Sequence, residues 1–223
     1  MPARSSRLVA SVVAALAAVV LGALVYVAIS SGSSSAERPA SGPAAPALAA
    51  DTRLLSDAGE GAVTVVEFLD FECEVCAAVY PVLEDLRAEH EGQVTFAIRY
   101  FPMPGHANST TAAVAVEAAA RQGRLEEMYH RMFDTQAQWG EQQVSQADLF
   151  RTFAEDLGLD LEVYDRDVAD PEVLDRVASD FEAGVALGVQ GTPTIFVDDV
   201  RVELRTEADL RAAIDAALQA RQG

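Results

Sequence analysis

Residues 63–76, Val-Thr-Val-Val-Glu-Phe-Leu-Asp-Phe-Glu-Cys-Glu-Val-Cys, constrain this chain more than any other stretch. Val63 to Phe71 are mostly β-branched, aromatic or apolar, the pattern of a strand covered on both faces. Directly after it, Cys76, Val79, Tyr80, Leu83 and Leu86 recur at helical spacing. A buried strand thus runs straight into a helix, with a Cys-x-x-Cys motif at the junction. Cys73 falls in the first turn, where unpaired backbone N–H groups favour an anion. A thiolate is such an anion, so the position is expected to lower the Cys73 pKa and activate it. Cys76, one turn further in, is expected to be more buried. The chain has 2 cysteines, so Cys73 has no other partner in it.

The N-terminal region has a different character. Residues 1–7, with Arg4 and Arg7, precede an apolar run from Leu8 to Ile29, long enough to cross a bilayer. It exceeds the apolar core of a cleaved signal peptide. The arginines are expected to stay cytoplasmic, placing the rest outside a cell membrane as a single-pass protein. Cleavage after Ala28-Ile29-Ser30 is the rival reading; both export the bulk of the chain. Residues 30–50 are Ser, Ala, Pro and Gly with almost no large apolar side chain, and read as a flexible linker. Residues 51–223 remain for one folded domain. The net charge of −19, with arginine as the only strong base, argues against nucleic acid, because no basic surface is available to release counterions. It also means that the anchor, and not surface charge, would hold the domain at a membrane.

Within the domain, Val94 to Phe101 reads as a second central strand, closed by Pro102. Two strands joined by a helix suggest a parallel βαβ unit. A turn-rich passage, Pro102 to Asn108, leads into helical periodicity from Ser109 to about Leu187. Its segments are Thr111–Arg121, Arg124–Phe133, a helix opened by Ser145-Gln-Ala-Asp148 as a capping box, Leu161–Val168, and one from Pro171 to Leu187. Trp139, Tyr129, Phe150 and Phe153 are expected in a core. Thr194 to Asp198 then reads as a strand and Val200 to Leu204 as its hairpin partner. Thr206-Glu-Ala-Asp209 resembles a second capping box before a last helix bearing Leu210, Ile214 and Leu218.

Cys73-Glu74-Val75-Cys76, the segment Gly191-Thr192-Pro193-Thr194, and the helical block between them resemble the thioredoxin superfamily, in its DsbA-like branch. The likeness covers roughly Asp51 to Ala220. It implies an α/β fold: a thioredoxin-like mixed sheet flanked by helices, with an inserted helical domain at about 105–188, here preceded by one transmembrane helix. It also implies a thiol–disulfide oxidoreductase using the Cys73–Cys76 disulfide and no other cofactor or metal. Glu67 stands where the superfamily has a buried carboxylate beside the second cysteine, Pro81 where it has a kink-forming proline, and Pro193 where it has a cis-proline. Thr192 would then bind extended substrate chains through its backbone. The partners implied are the thiols and disulfides of exported proteins and a membrane quinone-linked reoxidase.

Glu74-Val75 departs from strongly oxidising relatives, which typically place Pro-His between the cysteines, the His stabilising the thiolate. Val75 carries no charge, and Asp70, Glu72 and Glu74 surround Cys73 with like charge. The Cys73 pKa is therefore expected above that of the strongest oxidants. The direction of electron flow stays open: disulfide formation, or reduction outside the membrane. A non-catalytic module holding unfolded exported chains is a further reading. So are a structural disulfide and half of a zinc site, for which His90, His106 and His130 offer no spaced pair. His106, in its Pro/Gly-rich loop, reads as a surface histidine, Glu67 alternatively as a half-exposed strand residue, and Pro193 as a trans strand start.

Overall fold

The computed structural model describes residues 46–222, and among these no helix is long and apolar enough to cross a membrane. The expected anchor at 8–29 and most of the linker lie outside the described residues. Residues 47 and 48 already pack on the domain. Ala47 is buried, its N–H donates to Asp199 Oδ1 at 2.6 Å, and its carbonyl accepts from Arg99.

The elements are β1 (Arg53–Ser56), β2 (Val63–Leu69), α1 (Glu74–Glu89), β3 (Val94–Tyr100), α2 (Ser109–Arg121), α3 (Leu125–Trp139), α4 (Ala147–Asp156), α5 (Leu161–Asp167), α6 (Pro171–Ala186), β4 (Thr194–Val197), β5 (Val200–Arg201) and α7 (Glu207–Ala220). The five strands form one sheet in the order β1-β3-β2-β4-β5. β2 and β3 pair in parallel, as the βαβ pattern requires, and every other pairing is antiparallel. This is the expected mixed sheet, with the helical block α2–α6 between β3 and β4.

Strand alternation decides which layer each side chain joins. Val63, Val65, Phe96, Ile195 and Val197 face α1 and α7, meeting Leu83, Leu86, Leu210 and Ile214. Val66, Phe68, Ala97 and Phe196 face the opposite side, with Phe101, Phe181 and Leu187. A third cluster joins Leu69, Phe71, Tyr100 and both cysteines to the helical block; Tyr129, Trp139, Phe150 and Phe153 are buried there. The sheet is thus covered on both faces, which is why β2 and β3 read as continuous apolar runs.

Four local expectations change. β1 has no counterpart in the sequence reading; it is a short edge strand whose pairing with β3 shifts register between Leu54 and Ser56. β2 ends at Leu69, because Asp70 turns its carboxylate back onto the N–H of Glu72 at 2.9 Å. α3 runs on to Trp139 and not only to Phe133. The Ser145 capping box does not form: Gln146 is the N-cap, its N–H held by Asn108 Oδ1 at 2.8 Å. The Thr206 box does form, with Asp209 accepting from the Thr206 N–H at 2.7 Å.

Helix α6 crosses β3 closely enough that Gly184 has no room for a side chain. A Cβ there would stand 2.7 Å from the Phe101 ring and 3.0 Å from Phe68, both buried. Alanine ordinarily stabilises a helix interior by about 1 kcal/mol over glycine. Overpacking costs typically about 1–3 kcal/mol, so Gly184→Ala is expected to lose stability in urea titration despite its better helix propensity. A variant as stable as the parent would show that α6 shifts outward at no cost.

Candidate active site

The site forms where the C-terminal ends of the parallel strands meet the turn of residues 70–73. Cys73 is the N-cap of α1, with its N–H donating to the Asp70 carbonyl at 3.1 Å. Cys76 sits in the first turn and is fully buried, while Cys73 keeps 7% of its surface. Both are free thiols. The Thr192–Pro193 peptide is cis, and it brings the Thr192 carbonyl within 3.5 Å of Cys73 Sγ. Thr192 and Pro193 thus lie beside the pair, 119 residues along the chain from Cys73.

The two thiols are electrostatically unequal. Cys73 is lowered to about 5, foremost by a hydrogen bond from Cys76. Burial opposes this, and contacts with Thr192 and the backbone N–H groups of Cys76 and Val75 reinforce it. Those N–H groups, unpaired at the helix terminus, aim at the thiolate. Cys76 moves the other way, well above the ordinary thiol range, first because burial disfavours its anion and then because it donates to Cys73. Glu67, alternating onto the same face as Val65 and Leu69, is 3% exposed. Burial, then the charge of Cys73, raises it to about 8. Its Oε1 has no hydrogen-bond partner among the described residues. Glu67 is thus a neutral acid at pH 7 in the electrostatic reach of both cysteines.

The residues between the cysteines point outward. Glu74 is exposed in the first turn, and Val75 is 57% exposed. Val75 opens a groove with Val79, Val82, Leu204 and Leu210, between α1 and α7. Glu72 is buried, and its carboxylate accepts from the Asn108 N–H at 2.6 Å. His106 is no free surface histidine either. Its Nδ1 lies 2.6 Å from Asp70 Oδ2, an oxygen that also accepts from the Met103 N–H at 2.9 Å.

The helical block reaches the site through Gln136 on α3, which the sequence reading did not single out. Its Nε2 donates to the carbonyls of Phe71 at 2.9 Å and Cys73 at 2.8 Å, so one amide holds both ends of the turn. Nothing in the periodicity marks a glutamine on an otherwise apolar helix face as different from a solvated one. His106 had a signal: it follows the C-terminal end of a parallel strand, where sites in such sheets gather.

Among the described residues, two sets of three side chains bring possible metal-ligand atoms within 4.8 Å of one another. Glu84, Glu126 and His130 form one, but Arg87 already pairs with both glutamates. Glu74, His106 and Glu141 form the other, and neither set includes a cysteine.

The sequence pattern of a family described as thioredoxin matches residues 58–216. Among solved structures, a thioredoxin-like oxidoreductase from Silicibacter pomeroyi is 28% identical, with a TM-score of 0.65, covering 78% of this chain and 95% of that one. Wolbachia pipientis alpha-DsbA1 (17% identical, TM-score 0.69, covering 78% and 94%) and Bacillus subtilis BdbD (21%, 0.67, covering 75% and 93%) share the fold. Among curated proteins, the Na(+)/H(+) antiporter NhaA 1 of Mycolicibacterium gilvum is 37% identical over 144 residues, 62% of this chain and 22% of that protein. NhaA of Herminiimonas arsenicoxydans is 35% identical over 158 residues, 71% of this chain and 24% of its own. The chain thus spans about a quarter or less of the length of the curated relatives it matches. The chain belongs to the thioredoxin family, and its fold is that of the DsbA-like thiol–disulfide oxidoreductases, with two free cysteines at the head of α1.

Proposed function

We propose that this protein forms disulfides in exported proteins, working outside the cell membrane from a single N-terminal anchor. The observation that carries the reading is the inequality of the two thiols, Cys73 lowered to about 5 and Cys76 raised. A thiolate stabilised in the reduced state makes the corresponding disulfide a better oxidant. A pKa near 5 lies between thioredoxin, about 7, and the strong oxidant DsbA, about 3.5. That agrees with a cysteine pair lacking a histidine between its members. The NhaA relatives, named as Na(+)/H(+) antiporters, support a place of work at a membrane.

In the oxidising cycle a substrate thiolate attacks Sγ of Cys73. The Cys73–Cys76 bond breaks, and the new substrate–Cys73 bond holds a mixed disulfide. Cys76 leaves as a thiolate, a poor leaving group given its raised pKa, unless it is protonated. Glu67, neutral up to about pH 8, is the acid that supplies this proton. A second substrate thiolate then attacks the bound substrate sulfur and releases Cys73, whose stable thiolate makes it the better leaving group. The Thr192 carbonyl beside Cys73 is placed to pair with an extended chain, and the Val75 groove to take its apolar side chains. A quinone-linked membrane protein would re-form the disulfide.

The reduction potential, measured on the exported domain in glutathione buffers, tests this. We expect a value between about −120 and −180 mV, with the oxidising members of the superfamily. A value near about −270 mV, that of thioredoxin, would overturn the oxidase reading in favour of a reductase. The alkylation rate of Cys73 is expected to rise through a midpoint near pH 5.

A further inference from the structure

Four carboxylates collect around the first turn of α1: Asp70 at the end of β2, Glu72 in the turn, Glu74 on α1, and Glu141 in the α3–α4 connection. Asp70 and Glu72 are buried. Glu141 takes a left-handed backbone conformation, φ 61°, and its carboxylate, that of Glu74 and a ring nitrogen of His106 lie within 4.8 Å of one another. Four negative groups beside a cysteine oppose its ionisation. Among the described residues, the only ion pair made by these four joins His106 to Asp70, at 2.6 Å, with the Asp70 side chain fully buried and that of His106 20% exposed. Asp70 is fixed in turn by the N–H groups of Glu72 and Met103, both at 2.9 Å. The imidazole is thus anchored to the same turn that presents Cys73.

We propose that the His106 imidazolium, held by Asp70, is the counter-charge of the Cys73 thiolate, and that His106 takes up a proton when the Cys73–Cys76 disulfide is reduced. The proposal rests on the reading of this pair as redox-active, and it makes His106 a positioning residue for charge. Two substrate thiols give up two electrons and two protons, their disulfide forms, and the Cys73–Cys76 bond breaks. One proton ends on Cys76. The other is bound by His106 where His106 titrates, and released to water at higher pH, while Cys73 remains a thiolate.

The surroundings support this sign. Burial alone would lower the His106 pKa, but the Asp70 hydrogen bond and charge, followed by the charges of Cys73 and Glu72, raise it above its ordinary value. Converting Cys73 to a neutral disulfide sulfur removes one of those charges. His106 therefore holds its proton more tightly in the dithiol than in the disulfide form. In the window between its two titrations, reduction takes up two protons for two electrons.

The experiment measures the reduction potential against pH, from about 6 to 8, for the parent and for His106→Asn. Asparagine removes the charge but retains a side-chain N–H for Asp70. One proton per electron pair changes the equilibrium constant tenfold, about 30 mV, per pH unit. The parent slope is expected to exceed that of the variant within the window, because Glu67, which the Cys73 charge also raises, contributes to both alike. The Cys73 thiolate is expected to become roughly 3- to 10-fold harder to form in the variant, read from alkylation midpoints. Equal slopes with equal midpoints overturn the proposal. Should the variant fold poorly, NMR titration of the His106 ring in the parent decides: a higher pKa in the dithiol form supports the linkage, and an equal one overturns it. A parent potential near that of thioredoxin refutes the oxidase reading and leaves this slope test standing.

Discussion

Cys73→Ser is expected to abolish turnover, lowering the rate at which a reduced peptide is oxidised by glutathione disulfide at least about 1,000-fold. The serine hydroxyl cannot form the mixed disulfide, and at neutral pH it is not ionised as a thiol near pKa 5 would be. Folding is expected to survive, because the exchange is nearly isosteric at a position that keeps some surface. The same variant separates an enzyme from a holding module of the same fold. A module that only grips unfolded chains in the groove around Pro193 would keep its binding and show no activity to lose. Retained oxidation in Cys73→Ser would move the chemistry to another group altogether.

The largest effect on stability is expected at Asp180, far from any thiol chemistry. Its side chain is fully buried on α6. Oδ1 accepts from Arg99 Nε at 2.6 Å, Oδ2 accepts from the Tyr100 N–H at 3.2 Å, and Arg176 stands 2.8 Å away. Arg99 lies on β3, 4% exposed, so it cannot swing out to water. Asp180→Ala would strand that cation inside the sheet-to-helix interface. Removing one member of a buried pair costs about 3–5 kcal/mol, mainly as the penalty on the charge left behind. For a domain of this size that is a fall in Tm of roughly 6–20 °C. Thermal unfolding of the variant checks it, and a loss under about 1 kcal/mol would mean that water reaches Arg99. The double exchange of Arg99 and Asp180 for apolar residues is expected to recover much of the loss, since the intact pair contributes little net stability itself.

Much of this architecture was legible because it is local. The β2–α1 junction, the parallel β3, the β4–β5 hairpin and the last helix each carry a period, a cap or a turn within a few residues. β1 was not legible: Arg53-Leu-Leu-Ser56 has no alternation, and it is a strand only because β3 offers an open edge. The failed box at Ser145 has the same origin. Asn108, from the loop after β3, supplies the acceptor for the Gln146 N–H and also binds the carbonyls of Gln142 and Val144. At the site, Cys73 and Cys76 were legible from spacing, and Glu67, Thr192 and Pro193 from resemblance. The burial of Glu72 was not legible, because it depends on Asn108, 36 positions away. Gln136 and the Asp70–His106 pair exist as functional groups only once distant segments converge.

The contact between Cys73 Sγ and Thr192, 119 positions apart, also fixes an order of events during synthesis. Both cysteines emerge long before β4 does. At about 5–20 residues per second, the interval is roughly 6 to 24 s. Through that time β2 lacks its antiparallel neighbour, and Cys73 lacks the Thr192 carbonyl that accepts from its thiol. The nascent cysteine pair therefore waits for the segment that packs against Cys73 in the finished fold. The strand that completes the Cys73 site is therefore among the last parts of the domain to be made.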